Sequence, residues 1–387
     1  MSPKTVCVPR LLEIRSGAVA DVAAVLAAAR FELRRTVVGT GGGRTARIAG
    51  GVVRGLREAG ACAVVTEAVP TVDGVDRVVA AIRASGAETC VAVGGGRVID
   101  AVKHACSVTG TAFVSVPTSL AHDGVSSPIA SLIGRDGRRR SIGAVMPEAV
   151  IVDLAVVHGA PARTSRAGAA DLLSNLTALH DWRLAAARGE EEIDGFSALI
   201  AEEAARSFLY LAPATADLSL EMLARGLVLS GLAMATAGSS RPCSGAEHLI
   251  SHSLDRLLGT RARLHGEQVA LGLLIAATAQ GSLTAELAHA YDAWSLPRSH
   301  ADLGLERDVI VRAVMQARDT RPARYTILDE LDLARRPVEA LVDEAFASTG
   351  ERRPHAPRVA HDEQAGVVRR SRPRPRAGAS PRRRTGR

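Results

Sequence analysis

Five short runs of apolar, largely β-branched residues limit most strongly what this chain can fold into: Thr36-Val37-Val38, Ala63-Val64-Val65-Thr66, Cys90-Val91-Ala92-Val93, Ala112-Phe113-Val114-Ser115-Val116 and Ala149-Val150-Ile151-Val152. Apolar character persists along each run, which marks strands covered on both faces, as in a buried parallel sheet. Helical patterns separate them, for example over residues 52–58 and 75–85, the second running into Gly86. Strands separated by helices form βαβ units and hence a parallel sheet. From Pro161 onward the strand signals stop, and Ala-, Leu- and Glu-rich segments follow with helical periodicity over 167–187, 191–210, 218–237, 246–258, 266–279 and 284–292. The expected architecture is an α/β domain over residues 1–160, an all-α domain over 161–350 and a disordered basic tail over 351–387. No internal repeat interrupts this plan.

Composition narrows the function classes. A chain of 387 residues with 47% hydrophobic and 23% charged residues is long and apolar enough for two cored domains, which excludes a mostly disordered protein. The net charge of +7 belongs to the tail, where residues 352–387 carry 12 Arg against Asp362 and Glu363. The body is close to neutral, so it is not a basic surface that grips nucleic acid. Attachment to nucleic acid or anionic lipid is left to the tail alone, against the plainer reading of a solvated arginine-rich end. Aromatics at 3% exclude stacking platforms for bases as the main activity. The five cysteines are scattered without a C-x-x-C pair, as expected of reduced thiols in the cytoplasm and not of a disulfide scaffold or thiolate zinc site. The N-terminus lacks a long apolar signal segment, and apolar stretches such as 227–237 are broken by Ser and Gly, so no membrane span is expected.

Two groups of residues carry chemistry. Val93-Gly94-Gly95-Gly96-Arg97-Val98 takes a strand through three glycines into a helix. Glycines admit a phosphate to the backbone, and a helix start offers free N–H groups, although the same residues serve a tight turn equally well. The next strand ends in Pro117-Thr118-Ser119-Leu120-Ala121-His122-Asp123-Gly124, at the same carboxyl edge, where open α/β sheets bind ligands. In the helical half, Asp171 lies in an apolar stretch that reads as a helix start, where an acid also serves simply as an N-terminal charge. His248 and His252 share one helix face, and His265 stands at a helix start. One Asp with two or three His suits a divalent metal with open positions. The order is not H-E-x-x-H, so a metalloprotease has no support.

From about residue 35 to 280 the chain resembles the sn-glycerol-1-phosphate dehydrogenases of the iron-containing alcohol dehydrogenase-like, dehydroquinate synthase-like superfamily. The resemblance is densest at GGGRVIDAVK (94–103), VPTSLAHDGVSSPIAS (116–131), GAADLLSNLTALHDWRLA (168–185), GAEHLISHSLD (245–255) and LHGEQVALG (264–272). It implies a nucleotide-binding N-terminal domain over a helical catalytic domain. It implies that Asp171, His248 and His265 bind one divalent metal, zinc in the first place, with nickel or iron as alternatives. Gly94, Gly95, Gly96, Arg97 and Val98 would follow the cofactor pyrophosphate, and Thr118, Ser119, Leu120, Ala121 and Ser127 would contact the cofactor. Asp123, Asp171 and His252 would contact the substrate as catalytic residues. The chain departs from the family where Lys often stands at Arg97 and Ser at Ala121.

The implied reaction is hydride transfer between NAD(P)H and dihydroxyacetone phosphate, giving sn-glycerol 1-phosphate. The loop after the first strand, Gly39-Thr40-Gly41-Gly42-Gly43-Arg44, has no acid for a ribose hydroxyl, and its arginine suits a 2′-phosphate, so NADP is expected to serve at least as well as NAD. The alternatives are a related polyol phosphate dehydrogenase, an NAD-using sugar phosphate cyclase, or a non-catalytic scaffold working through the tail. A small phosphorylated substrate and a homo-oligomer are the expected partners.

Overall fold

Four of the five apolar runs are covered on both faces as expected, whereas Ala63-Val64-Val65-Thr66 lies in an edge strand and leaves Val65 half exposed. In a computed structural model, residue 6 and residues 8–210 and 216–347 are described, so the expected basic tail and Cys7 lie outside the described residues. Eight strands form: β1 (Leu11–Arg15), β2 (Arg35–Thr40), β3 (Cys62–Glu67), β4 (Thr89–Gly94), β5 (Ala112–Pro117), β6 (Ile129–Ile133), β7 (Arg139–Gly143) and β8 (Ala149–Asp153). Six of them make one sheet in the order β1-β8-β5-β4-β2-β3, every neighbour parallel. Val38, Val91, Val93, Val114, Val116 and Ile151 face one side, and Val37, Cys90, Ala92, Phe113, Val150 and Val152 the other.

The first side is covered by α1 (Val22–Ala28) and α2 (Arg44–Glu58), the second by α3 (Val72–Ser85) and α4 (Gly96–Thr109). Local chemistry sets α3: the Thr71 hydroxyl accepts from the Gly74 N–H at 3.1 Å, and Gly86 ends the helix at φ +59°. After α5 (Leu154–His158) the chain is helical: α6 (Ala162–Leu173), α7 (Asn175–Ala187), α8 (Gly195–Tyr210), α9 (Ala216–Ala237), α10 (Ala246–Leu258), α11 (His265–Ala279), α12 (Ala285–Ala293), α13 (Arg307–Met315) and α14 (Arg335–Ala347). Their apolar faces continue the core beneath α3 and α4, so the described residues fall in one compact unit spanning 1–350.

Some elements differ from expectation. The segment 167–187 is two helices, because the Ser174 hydroxyl donates to the Asp171 carbonyl at 2.7 Å and the chain turns there. Strand β1 was not expected, since Leu-Leu-Glu-Ile-Arg mixes polar residues into an edge position. The antiparallel pair β6–β7 was also missed, and Arg139 and Arg140 lie on its exposed strand rather than in a loop. The stretch 217–237 in α9 is long and apolar enough to cross a membrane by length and composition alone, but most of it is buried in the protein, as in a core helix.

Candidate active site

Along the sheet the chain runs outward from β2 to β3 and then returns to β4 on the other side of β2. The carboxyl ends of β2 and β4 are therefore a switch point, where flanking loops part and leave a crevice. The Gly41-Gly42-Gly43 loop follows β2, and Gly94-Gly95-Gly96 joins β4 to α4. The loop after β5 lies against the second of these, with the Thr118 N–H donating to the Gly94 carbonyl at 2.9 Å. At Gly96 a Cβ would come within 2.1 Å of His122 Nε2, so a side chain here would displace that histidine ring. Arg97 is exposed, Val98 is buried beneath Gly94, and Thr118, Ser119 and Ala121 are half-buried at the crevice. Leu120 is fully buried, and the buried Ser127 hydroxyl is directed at the Ile129 carbonyl. Arg44 donates to the Val156 carbonyl at 3.0 Å.

Asp171 is not at a helix start. It stands in the last turn of α6, so the alternative of an N-terminal helix charge is excluded. Its Oδ1 is 3.5 Å from His248 Nε2 and 3.7 Å from His265 Nε2, while its Oδ2 accepts the Asp123 N–H at 2.8 Å. His248 projects from the first turn of α10, and His265 is the first residue of α11, as expected. One ligand atom from each of these three residues lies within 4.8 Å of the other two.

The far nitrogens of both imidazoles are engaged. His248 Nδ1 is 2.9 Å from Glu247 Oε1, and Glu247 is completely buried, held by the Gly245 N–H at 2.6 Å and the Thr177 hydroxyl at 2.9 Å. His265 Nδ1 is 3.2 Å from the Ser251 hydroxyl, which also accepts from Gln268 Nε2. Two imidazoles whose Nδ1 atoms are tied back, with Nε2 atoms converging on one carboxylate, present the donor set of a divalent-cation site. The residues fit such an ion.

His252 completes a cluster, its ring 6.3 Å from that of His248 and 5.8 Å from that of His265, and His122 lies 6.4 Å from His265 on the glycine-loop side. The charges are strongly perturbed. Burial pulls the His248 imidazole down, but Asp171 and Glu247 outweigh it and raise the group to about 9. Burial and the neighbouring His248 push His265 down to about 3, and burial with the charges of His265, Arg321, His248 and Arg324 holds His252 well below its usual range. Burial pushes the Asp123 carboxyl up to about 8, helped by Asp171.

Lys103 holds this wall of the site. It is fully buried, and its ammonium donates to the Gly124 and Ile129 carbonyls at 2.7 Å each, with Asp100 at 3.5 Å. Sequence reading named neither Lys103, His122 nor Glu247 as a site residue, although all three stand inside the quoted motifs.

The model of the iron-containing alcohol dehydrogenase family matches residues 13–161. A glycerol-1-phosphate dehydrogenase of Cenarchaeum symbiosum, whose name specifies NAD(P)+, is 39% identical over 263 residues, covering 67% of this chain and 73% of that protein. One from Thermofilum pendens, with the same specification, is 39% identical over 302 residues, covering 77% of this chain and 86% of that protein. Among solved structures, a probable glycerol dehydrogenase from Sinorhizobium meliloti superposes with a TM-score of 0.71 at 23% identity, over 90% of this chain and 99% of that one. That likeness speaks for the fold.

Proposed function

The chain belongs to the glycerol-1-phosphate dehydrogenase family, and from that premise we propose that it interconverts dihydroxyacetone phosphate and sn-glycerol 1-phosphate with NAD(P)H and a divalent metal. The observation that carries the reading is the convergence of Asp171, His248 and His265 beside the glycine-loop crevice.

Asp171, His248 and His265 would hold the ion, zinc before nickel or iron since the donors suit all three. When bound, it would act as a Lewis acid toward the substrate's oxygen. Gly94 through Val98 would hold the cofactor pyrophosphate, with N–H groups from the start of α4, and Thr118 through Ala121 with Ser127 would form the neighbouring wall. Asp123 and His252 contact the substrate, as does Asp171. His252, its ring beside those of His248 and His265, is the side chain assigned to exchange the hydroxyl proton. Lys103 keeps the Asp123 loop in place through the Gly124 and Ile129 carbonyls.

Residues 1–160 are assigned to the dinucleotide and 161–350 to metal binding and catalysis. The absence of an acid after β2 supports acceptance of NADP at least as well as NAD, and a cytoplasmic homo-oligomer completes the proposal. The test is loss of NADPH and NADH absorbance with dihydroxyacetone phosphate, before and after chelation and restoration of zinc or nickel. Metal-dependent oxidation of either cofactor is expected, and His265→Ala should abolish it. No oxidation by folded, metal-loaded protein would sink the substrate reading and favour another phosphorylated polyol.

A further inference from the structure

The substrate in that reading carries a phosphate for which no motif supplies an anchor. We propose that Arg321 and Arg324 form the anion subsite that receives it, a placement that rests on the dehydrogenase reading and gives it a phosphate-monoester substrate class.

The two arginines follow a short turn, Ala317–Thr320, that packs on α10. Arg256, one helical turn beyond His252, donates to the Asp319 carbonyl at 2.8 Å and the Thr320 carbonyl at 3.2 Å, which fixes the chain immediately before Arg321. From there both guanidinium groups converge on one hydroxyl. Arg321 Nη1 donates to Ser240 Oγ at 2.9 Å and Arg324 Nη2 to the same atom at 3.2 Å. Arg324 Nη1 also donates to the Ser244 carbonyl, just ahead of α10. The pair therefore stands beside the helix that carries His248 and His252, and both charges bear on His252.

Neither arginine has a carboxylate within ion-pair distance among the described residues, whereas the neighbouring buried Arg241 is matched by Glu191 at 2.5 Å. Half-buried cations packed together without a counter-ion are unfavourable until an anion joins them. Burial, Arg321 and Arg241 hold the Arg324 guanidinium down at about 9, although the charges of Glu191 and Glu247, neither in ion-pair contact, pull the other way. Planar guanidinium forks match phosphate oxygens, and a dianion offsets both charges. In dihydroxyacetone phosphate only a methylene and the ester oxygen separate the phosphorus from the reacting carbon, so an anchor must lie next to His252. Arg139, exposed on β7, is an arginine whose charge reaches His265, but it is solvated and offers less.

Two readouts test the subsite on the metal-loaded full chain. Inorganic phosphate should raise the melting temperature of the wild type, and this shift should vanish in Arg321→Gln and Arg324→Gln. The ratio of kcat/KM for dihydroxyacetone phosphate to that for dihydroxyacetone should fall about 10- to 100-fold in each, as expected for one charge-assisted hydrogen-bonding partner. Arg324→Lys keeps the charge and should recover part of both, which separates anion binding from damage to the Ser244 contact. Absence of phosphate protection in the wild type, or equal protection and an unchanged ratio in the variants, would overturn the subsite. A wild type that does not turn over dihydroxyacetone phosphate yet loses its phosphate protection in Arg321→Gln would overturn the substrate reading and leave the subsite standing.

Discussion

Glu247 does the least visible work at the site. Adjacent helix residues normally point apart, which is why a reading of spacing picked out the histidines and passed over their neighbour. Here His248 Nδ1 reaches back to the Glu247 carboxylate, which is fixed by the Gly245 N–H and the Thr177 hydroxyl. This orients Nε2 toward Asp171 and strengthens its lone pair. Glu247→Gln should lower ion affinity by about 10- to 100-fold, a typical cost of losing such a partner, with the fold retained. Competition with a chelator of known affinity measures it. The trio Asp171, His248 and His265, which the structure brings together, was legible as residue types in motifs. What could not be read was that Asp171 stands in the last turn of its helix, because the turn at Ser174 that follows depends on a hydroxyl-to-carbonyl bond. Arg321 and Arg324 lie beyond the segment where the resemblance runs, in a stretch with no periodic pattern.

At the scale of elements, close backbone contact brings the proposed ligands together. A Cβ on Gly266, the second residue of α11, would lie 2.0 Å from the Ala167 carbonyl of α6. These helices carry His265 and Asp171, so their separation sets that of the ligands. Gly266→Ala should force them apart at a cost of about 1–3 kcal/mol, as for overpacking in a tight core. Ion affinity should fall along with the melting temperature, as calorimetry with and without zinc would report. The five strands were legible because uninterrupted β-branched runs have few other destinies, although β3 lies at the sheet edge and is not buried on both faces. Strand β1 was not, since Glu13 and Arg15 break its pattern, nor was the exposed strand β7 with its run of arginines.

For the whole molecule, Asp181 links distant parts. Its carboxylate accepts the Ala246 N–H at the start of α10, Gln280 Nε2 just past α11 and the Ile327 N–H near the C-terminal helices. Burial and the Glu247 charge push it up to about 7, against the pull of those donors. The folded carboxyl thus holds its proton more tightly than an unfolded one, which titrates near about 3.9. Its contribution to stability is complete below that value and is lost as pH rises through 7. The melting temperature of the wild type should therefore decline between pH 4.5 and 7 more steeply than that of Asp181→Asn, and parallel slopes would contradict the assignment.

The order of strands in the sheet also governs how the chain must be made. β1 sits at the edge with β8 as its sheet neighbour, and the Asp153 carboxylate at the end of β8 accepts the Gly17 N–H, 136 positions earlier, and the Val19 N–H. Strand β1 thus leaves the ribosome well before β8, the strand it pairs with. At a synthesis rate of about 5–20 residues per second it waits on the order of ten seconds with its hydrogen-bonding edge open. During that interval nascent chains on one message are exposed to pairing with each other, so expression yield should respond to translation speed and chaperone supply more than the stability of the finished sheet would suggest.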